Sequence, residues 1–109
     1  MEYRIIKSPS QGTIEILKQR GSIKGQGQEK LSGRIEAVGL VQGRLIEMIF
    51  AADIAEKAAG VTAVEIRGNC PQTMMLLGLF GDTASVETAI EEIKHNEKEV
   101  CKHGGGKTD

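Results

Sequence analysis

The stretch that decides the fold is residues 61–80, VTAVEIRGNCPQTMMLLGLF, in which two apolar runs flank a short polar cluster. The first run, residues 61–66, is rich in β-branched side chains, and the second, residues 73–80, is almost unbroken in Met and Leu. Two such runs joined by glycine, asparagine and proline predict a β-hairpin. The cluster Gly68-Asn69-Cys70-Pro71-Gln72 is then the turn of this hairpin.

Cys70 lies in the predicted turn and is the only cysteine in the body of the chain. Gly68 and Asn69 tolerate a positive φ, and Pro71 favours an extended conformation for the residue before it. The turn is therefore expected to present a thiol on a stiff base. A free cysteine is often a small buried apolar residue. The position of Cys70 at a loop tip, with proline after it as in cluster-ligating cysteines, favours a ligand role instead.

Length and composition exclude several classes of protein. A chain of 109 residues forms one domain, which buries roughly 65% of its unfolded surface. The net charge of −1 and the aromatic content of 3% argue against a nucleic-acid-binding protein. Without a signal peptide or a membrane-spanning run, the chain is expected to be soluble and cytoplasmic, with Cys70 and Cys101 as thiols or ligands. No catalytic constellation stands out, so we predict no enzymatic activity.

Residues 1–41 contain three predicted strands. Residues 3–7 and 13–18 alternate between apolar and polar positions and predict two strands, separated by the breaker Ser8-Pro9-Ser10-Gln11-Gly12. Residues 21–33 are rich in Gly, Gln and Lys and predict a linker. Residues 34–41 predict the third strand.

Two helices are predicted on either side of the hairpin. The first covers residues 44–59, with an apolar stripe at helical spacing: Leu45, Met48, Ile49, Ala52, Ala55 and Ala59. The second begins after Asp82 as N-cap, and its buried stripe is Val86, Ala89, Ile90 and Ile93. Residues 101–109 are a glycine-rich polar tail that is predicted to be disordered.

This order of elements predicts an α/β fold of the α+β type. From residue 34 onward it is a β-α-β-β-α unit, the split βαβ arrangement of ferredoxin-like folds. The sheet of that unit needs one further strand. We predict that residues 13–18 supply it, so the strand that closes the sheet comes first in the chain, as in a circular permutation.

Three stretches resemble one family. Residues 51–59, AADIAEKAA, resemble the first-helix signature A-A-D-x-x-x-K-A-A of bacterial microcompartment (BMC-domain) shell proteins. Gly81-Asp82 followed by Val86 is similar to the start of the family's second helix. Residues 4–12 look like the circularly permuted subgroup found in ethanolamine- and propanediol-utilising compartments. The resemblance covers roughly residues 4–94 and is poor over residues 23–32.

The resemblance implies a fold and an assembly. It implies a single permuted BMC shell domain over residues 1–100 and a tail over residues 101–109. Such domains form cyclic homohexamers that tile edge to edge with other shell proteins in the microcompartment shell, with a pore on the sixfold axis. Residues 1–12 then either join a β-barrel that caps the pore or form an edge strand on their own subunit.

The resemblance also implies site residues. The pore loop carries over to Arg67, Gly68, Asn69, Cys70, Pro71 and Gln72. Lys57 carries over to the hexamer edge, where it packs antiparallel against its symmetry mate; without the signature it would be a solvated lysine in a last helical turn. Arg20 is a loose match to an edge arginine that follows the last strand of the family.

A cofactor follows from the same loop. The sequence Gly-Asn-Cys-Pro-Gln looks like the loop of glycyl-radical propanediol-type shell proteins, a group known for an iron–sulfur cluster in the pore. A cubane cluster takes four thiolates, so Cys70 from several subunits would share one 4Fe–4S cluster, which could transfer electrons across the shell. The alternative is a soluble ferredoxin-like oligomer that binds a small metabolite in intersubunit clefts and holds no metal.

Overall fold

The structure is a computed structural model that describes residues 1–21, 35–67 and 74–97. These residues form four strands and three helices in the order β1 (Glu2–Lys7), α1 (Gln11–Arg20), β2 (Ala37–Arg44), α2 (Leu45–Ala58), β3 (Thr62–Ile66), β4 (Met74–Gly81) and α3 (Thr83–His95). The predicted α+β class is confirmed, and so are both predicted helices and the hairpin.

The four strands form one antiparallel sheet with the order β1-β2-β4-β3. The central pair, β2 and β4, runs from Ala37 opposite Gly81 to Arg44 opposite Met74. β1 lies along the other side of β2, from Glu2 opposite Gln42 to Lys7 opposite Ala37. The position that the split βαβ unit leaves open is therefore filled by the first strand of the chain.

The predicted strand at residues 13–18 is wrong, because these residues lie inside helix α1. The side-chain oxygen of Ser10 accepts a hydrogen bond from the Thr13 N–H at 3.2 Å, which caps the helix. Ile14 and Leu17 are three residues apart, a spacing that puts them on one face of a helix but on opposite faces of a strand. Ile16, which the strand interpretation placed with Ile14, is 58% exposed.

The segment 3–7 is a strand as predicted, and it lies on its own chain. The strand pairs with β2, and the hydroxyl of its Tyr3 donates a hydrogen bond to Glu97 Oε1 at 3.2 Å. The Lys94 ammonium lies 5.2 Å from the centre of the Tyr3 ring. In the single chain these residues form an edge strand on β2, and the barrel over the pore stays a prediction.

Side chains alternate between the two faces of the sheet, as the pleat requires. One face packs against α2 and α3, and its fully buried members include Ala37, Val41, Leu77 and Leu79. The opposite face packs against α1 through a smaller cluster of Leu17, Val38, Val64, Ile66 and Phe80. The central strands are therefore apolar on both faces, which explains the unbroken run in β4.

Helix α3 begins as the sequence predicts. Asp82 Oδ1 accepts from the Ser85 N–H at 2.8 Å, and Oδ2 accepts from the Ser85 hydroxyl at 3.0 Å. These two donors, the backbone N–H first, lower the pKa of Asp82. The predicted stripe of Val86, Ala89, Ile90 and Ile93 is buried in full.

The predicted stripe of α2 is only partly correct. Met48 and Ala55 are buried, as is Ala51, which the stripe did not contain. Leu45 and Ile49 are 41% and 59% exposed, although both were assigned to the core. The helix is apolar on most of its surface, so the spacing of its apolar residues does not determine which face is buried. The buried face is the one whose small residues allow a close approach to the sheet.

A glycine in β2 sets how closely α3 lies on the sheet. A Cβ at Gly39 would lie 3.1 Å from Val86 Cγ1 and 3.2 Å from Ile90 Cδ1. We expect Gly39→Ala to lower the free energy of unfolding by about 1–3 kcal/mol through overpacking. Urea denaturation measures this, with Gly12→Ala as control, because a Cβ there meets nothing within 4 Å. Equal stability of wild type and Gly39→Ala would contradict the tight packing.

Candidate functional site

The β3–β4 hairpin carries the predicted pore loop. Its last described pair is Ile66 opposite Leu76, and Cys70 is one position before the midpoint of the residues between them. Arg67 is described and exposed. Gly68, Asn69, Cys70, Pro71 and Gln72 lie outside the described residues, as does Cys101. The structure thus shows the base of the loop.

The base of this loop contacts the C-terminus of α1. The Arg67 N–H donates to the Arg20 carbonyl oxygen at 2.6 Å, and Arg20 Nη1 donates to the Arg67 carbonyl oxygen at 3.4 Å. Gly21 forms an antiparallel bridge with Ile66. The match of Arg20 to an arginine after the last strand is therefore wrong, because Arg20 ends a helix and contacts the loop base.

Lys57 lies in the last turn of α2, far from the loop. Its Nζ is 2.9 Å from Asp53 Oδ2 one turn earlier, and its side chain is 76% exposed. Helix α2 begins beside the loop base, because Arg44 pairs with Met74. Twelve residues of helix rise separate Leu45 from Lys57, which is roughly 18 Å. The helix thus spans the distance between the two predicted sites.

Helix α2 presents an exposed apolar surface, which we call the α2 face: Leu45 (41% exposed), Ile46 (77%), Ile49 (59%) and Phe50 (44%). Met74, which is 36% exposed, pairs with Arg44 beside the start of α2, but the alternation along β4 places its side chain on the opposite sheet face, with Leu76 and Phe80. Contiguous exposed apolar surface of this kind marks an interaction site. The sequence prediction missed it, although the run LIEMIF at residues 45–50 holds more apolar residues than one buried stripe needs.

A metal cluster would need more than one copy of the chain. Among residues 1–21, 35–67 and 74–97, no group of three or more His, Cys, Asp or Glu side chains is arranged to hold a metal ion. The whole chain contains two cysteines, whereas a cubane takes four thiolates. The donor set fits an iron–sulfur cluster only if several subunits contribute.

Comparison with known proteins identifies the family. The BMC domain model matches residues 37–104. The chain belongs to the BMC-domain family. The matched segment of this BMC domain begins at β2, so β1 and α1 precede it. No curated protein matches the chain significantly.

Two solved BMC-domain structures are similar over most of their length. The ligand-free GrpU microcompartment shell protein from Clostridiales bacterium 1_7_47FAA is 52% identical, with 89% of this chain and 95% of that chain covered and a TM-score of 0.64. The ligand-free GrpU microcompartment shell protein from Pectobacterium wasabiae is 31% identical, with 85% and 99% covered and a TM-score of 0.65. The resemblance predicted from residues 51–59 is therefore confirmed at the level of the family.

A third structure shares the BMC fold. It is a fused permuted hexameric shell protein from the RMM microcompartment, 22% identical, with 93% of this chain and 48% of that chain covered and a TM-score of 0.64.

In the part of this BMC domain that the structure describes, no helix has the length and hydropathy needed to cross a membrane.

Proposed function

We propose that this chain is a structural shell protein of a bacterial microcompartment, located in the cytoplasm and without enzymatic activity. It assembles as a homohexameric tile with a central pore. The observation that carries the proposal is an exposed apolar surface on helix α2 of a BMC domain, and this helix begins beside the base of the predicted pore loop. Sedimentation of the full chain, of 11.7 kDa per subunit, together with electron microscopy of sheets, tests both levels of assembly.

The domain is circularly permuted relative to the order of its family. Two observations support this proposal. The sheet position beside β2 is filled by β1, which precedes all other elements. The family model begins only at β2.

Contact between copies through the α2 face explains how one loop becomes a pore. Four large apolar side chains are between 41% and 77% exposed on α2, and burying the remainder of each contributes a corresponding part of the about 1.5–3 kcal/mol of full burial. Because α2 begins beside the loop base, contacts through its exposed face bring the loops of neighbouring copies together. The opposite end of α2, with Lys57, then points towards the rim of the tile.

Cys70 from several subunits is proposed to hold a 4Fe–4S cluster in the pore. Such a cluster, when bound, would supply one-electron transfer chemistry. The contribution of the chain is a thiolate on a loop with a fixed base, because Arg67, three residues before Cys70, is hydrogen-bonded to Arg20 through both its N–H and its carbonyl oxygen. The metabolite-binding oligomer without a metal has less support, because the two GrpU relatives are named as shell proteins.

The edge role of Lys57 has a direct test. We expect Lys57→Ala to form hexamers that no longer assemble into extended sheets, because the substitution removes an exposed cation without touching the core. Sedimentation measures the formation of hexamers, and negative-stain microscopy measures the formation of sheets. Lys18→Ala, at an exposed lysine on α1, is the control and should form normal sheets. Normal sheets from Lys57→Ala would remove the edge assignment.

A further inference from the structure

We propose that the C-terminus of α1 is a positioning element for the loop that carries Cys70. Gly21 forms a β-bridge with Ile66, and Arg20 forms hydrogen bonds with Arg67; Ile66 and Arg67 are the last two residues before Gly68. The link to a cluster rests on the function proposed above. The contact itself does not depend on it.

The contact is an extension of the sheet. β3 is an edge strand, and its only strand partner among the described residues is β4. The bridge between Gly21 and Ile66 adds a short segment to the other side of β3, at its last residue. The next residue, Arg67, then donates its N–H to Arg20 and accepts from the Arg20 guanidinium. The backbone entering the loop is therefore paired on both sides at its final strand position.

Leu17 holds this end of α1 in place. It is the one buried side chain of the helix, at 7% exposure, and it packs in the same cluster as Ile66 and Phe80. The Gly21 N–H donates to the Leu17 carbonyl oxygen at 2.8 Å, so the residue that bridges β3 is tied to the residue that anchors the helix. Ile16, one position earlier, is 58% exposed and belongs to neither core cluster.

This arrangement explains how the outer side of the loop base is held in place, which the pairing of β3 with β4 alone does not. Among the described residues, the pairing of β3 with β4 ends at Ile66 and Leu76, and no strand lies on the outer side of β3. A catalytic or ligand-binding loop needs a base that neighbouring packing holds rigid. Helix α1 supplies that packing from residues 47 positions away in the chain, and its own sequence buries little else. Besides covering one face of the sheet, α1 therefore fixes the loop base.

Hydrogen exchange on the full-length protein tests the contact. The Arg67 amide should be protected in the wild type, and Leu17→Ala should speed its exchange at least ~10-fold while the Leu79 amide in the central strand stays protected. Ile16→Ala is the matched control, because it removes a similar apolar volume from the same helix and should change neither amide. Leu17→Val replaces Leu17→Ala if the latter does not fold. Unchanged Arg67 exchange in the folded Leu17 variant would overturn the contact.

The positioning role needs a second readout on iron-reconstituted protein. Leu17→Ala should broaden or shift the electron paramagnetic resonance signal of the reduced cluster, whereas Ile16→Ala should keep the wild-type signal. Faster Arg67 exchange with an unchanged signal would overturn the positioning role. Wild-type protein that takes up no iron would refute the proposed cluster but leave the exchange result to decide whether α1 fixes the loop base.

Discussion

Cys70→Ser protein is expected to stay colourless after anaerobic reconstitution with iron and sulfide, whereas the wild type turns brown with a broad band near the blue edge of the visible range. Iron in these clusters is held by thiolates, and about one cluster per hexamer is expected because one cubane takes four of them. A serine hydroxyl stays protonated at neutral pH and does not replace the thiolate. Absorption spectra and iron-to-protein ratios measure the effect.

Cys101→Ser is the matched control for this result. It removes the other cysteine of the chain, which lies in the predicted tail, and should leave the colour unchanged. Colour that follows Cys101 would move the site away from the loop. A wild type that remains colourless after reconstitution would reject the cluster altogether.

Ile49→Glu is expected to reduce the proposed hexamer to a folded monomer. Ile49 is 59% exposed on the α2 face, so a charge there is tolerated in the single chain. In the proposed interface it would be buried without a partner, and the desolvation penalty of a buried ion is several kcal/mol. Because every subunit carries the substitution, all the contacts between neighbouring subunits in the ring are lost together. Sedimentation measures the mass, and far-ultraviolet circular dichroism shows whether the monomer is folded.

Ile16→Glu is the control for Ile49→Glu. Ile16 is 58% exposed, which is nearly the same, but it lies on α1 on the other side of the sheet. It should leave the hexamer intact. A hexameric Ile49→Glu protein, or dissociation by both substitutions, would contradict the assignment of the α2 face.

The two substitutions together test whether the cluster depends on assembly. If several subunits share it, the monomeric Ile49→Glu protein should be colourless although its Cys70 is intact. A brown monomer would show that one chain holds the metal without its neighbours.

The strands and helices that local signals specify were predictable from sequence. The hairpin could be predicted because two apolar runs flank a cluster of turn residues. Helix α3 could be predicted because Asp82 is an N-cap and the stripe from Val86 to Ile93 has one clear period. The family could be predicted because residues 51–59 carry a signature on one helix. Each of these signals lies within about twenty consecutive residues.

Only the tertiary structure decided the rest. The alternation of residues 13–18 predicted a strand, but β1 takes the place beside β2, and the segment forms α1 with Leu17 buried against the sheet. The exposed side of α2 depends on which of its apolar faces meets the sheet. The contact of Arg20 with Arg67 joins residues that no local pattern relates. In each case the outcome depends on packing between elements distant in the chain, and that packing overrides local periodicity.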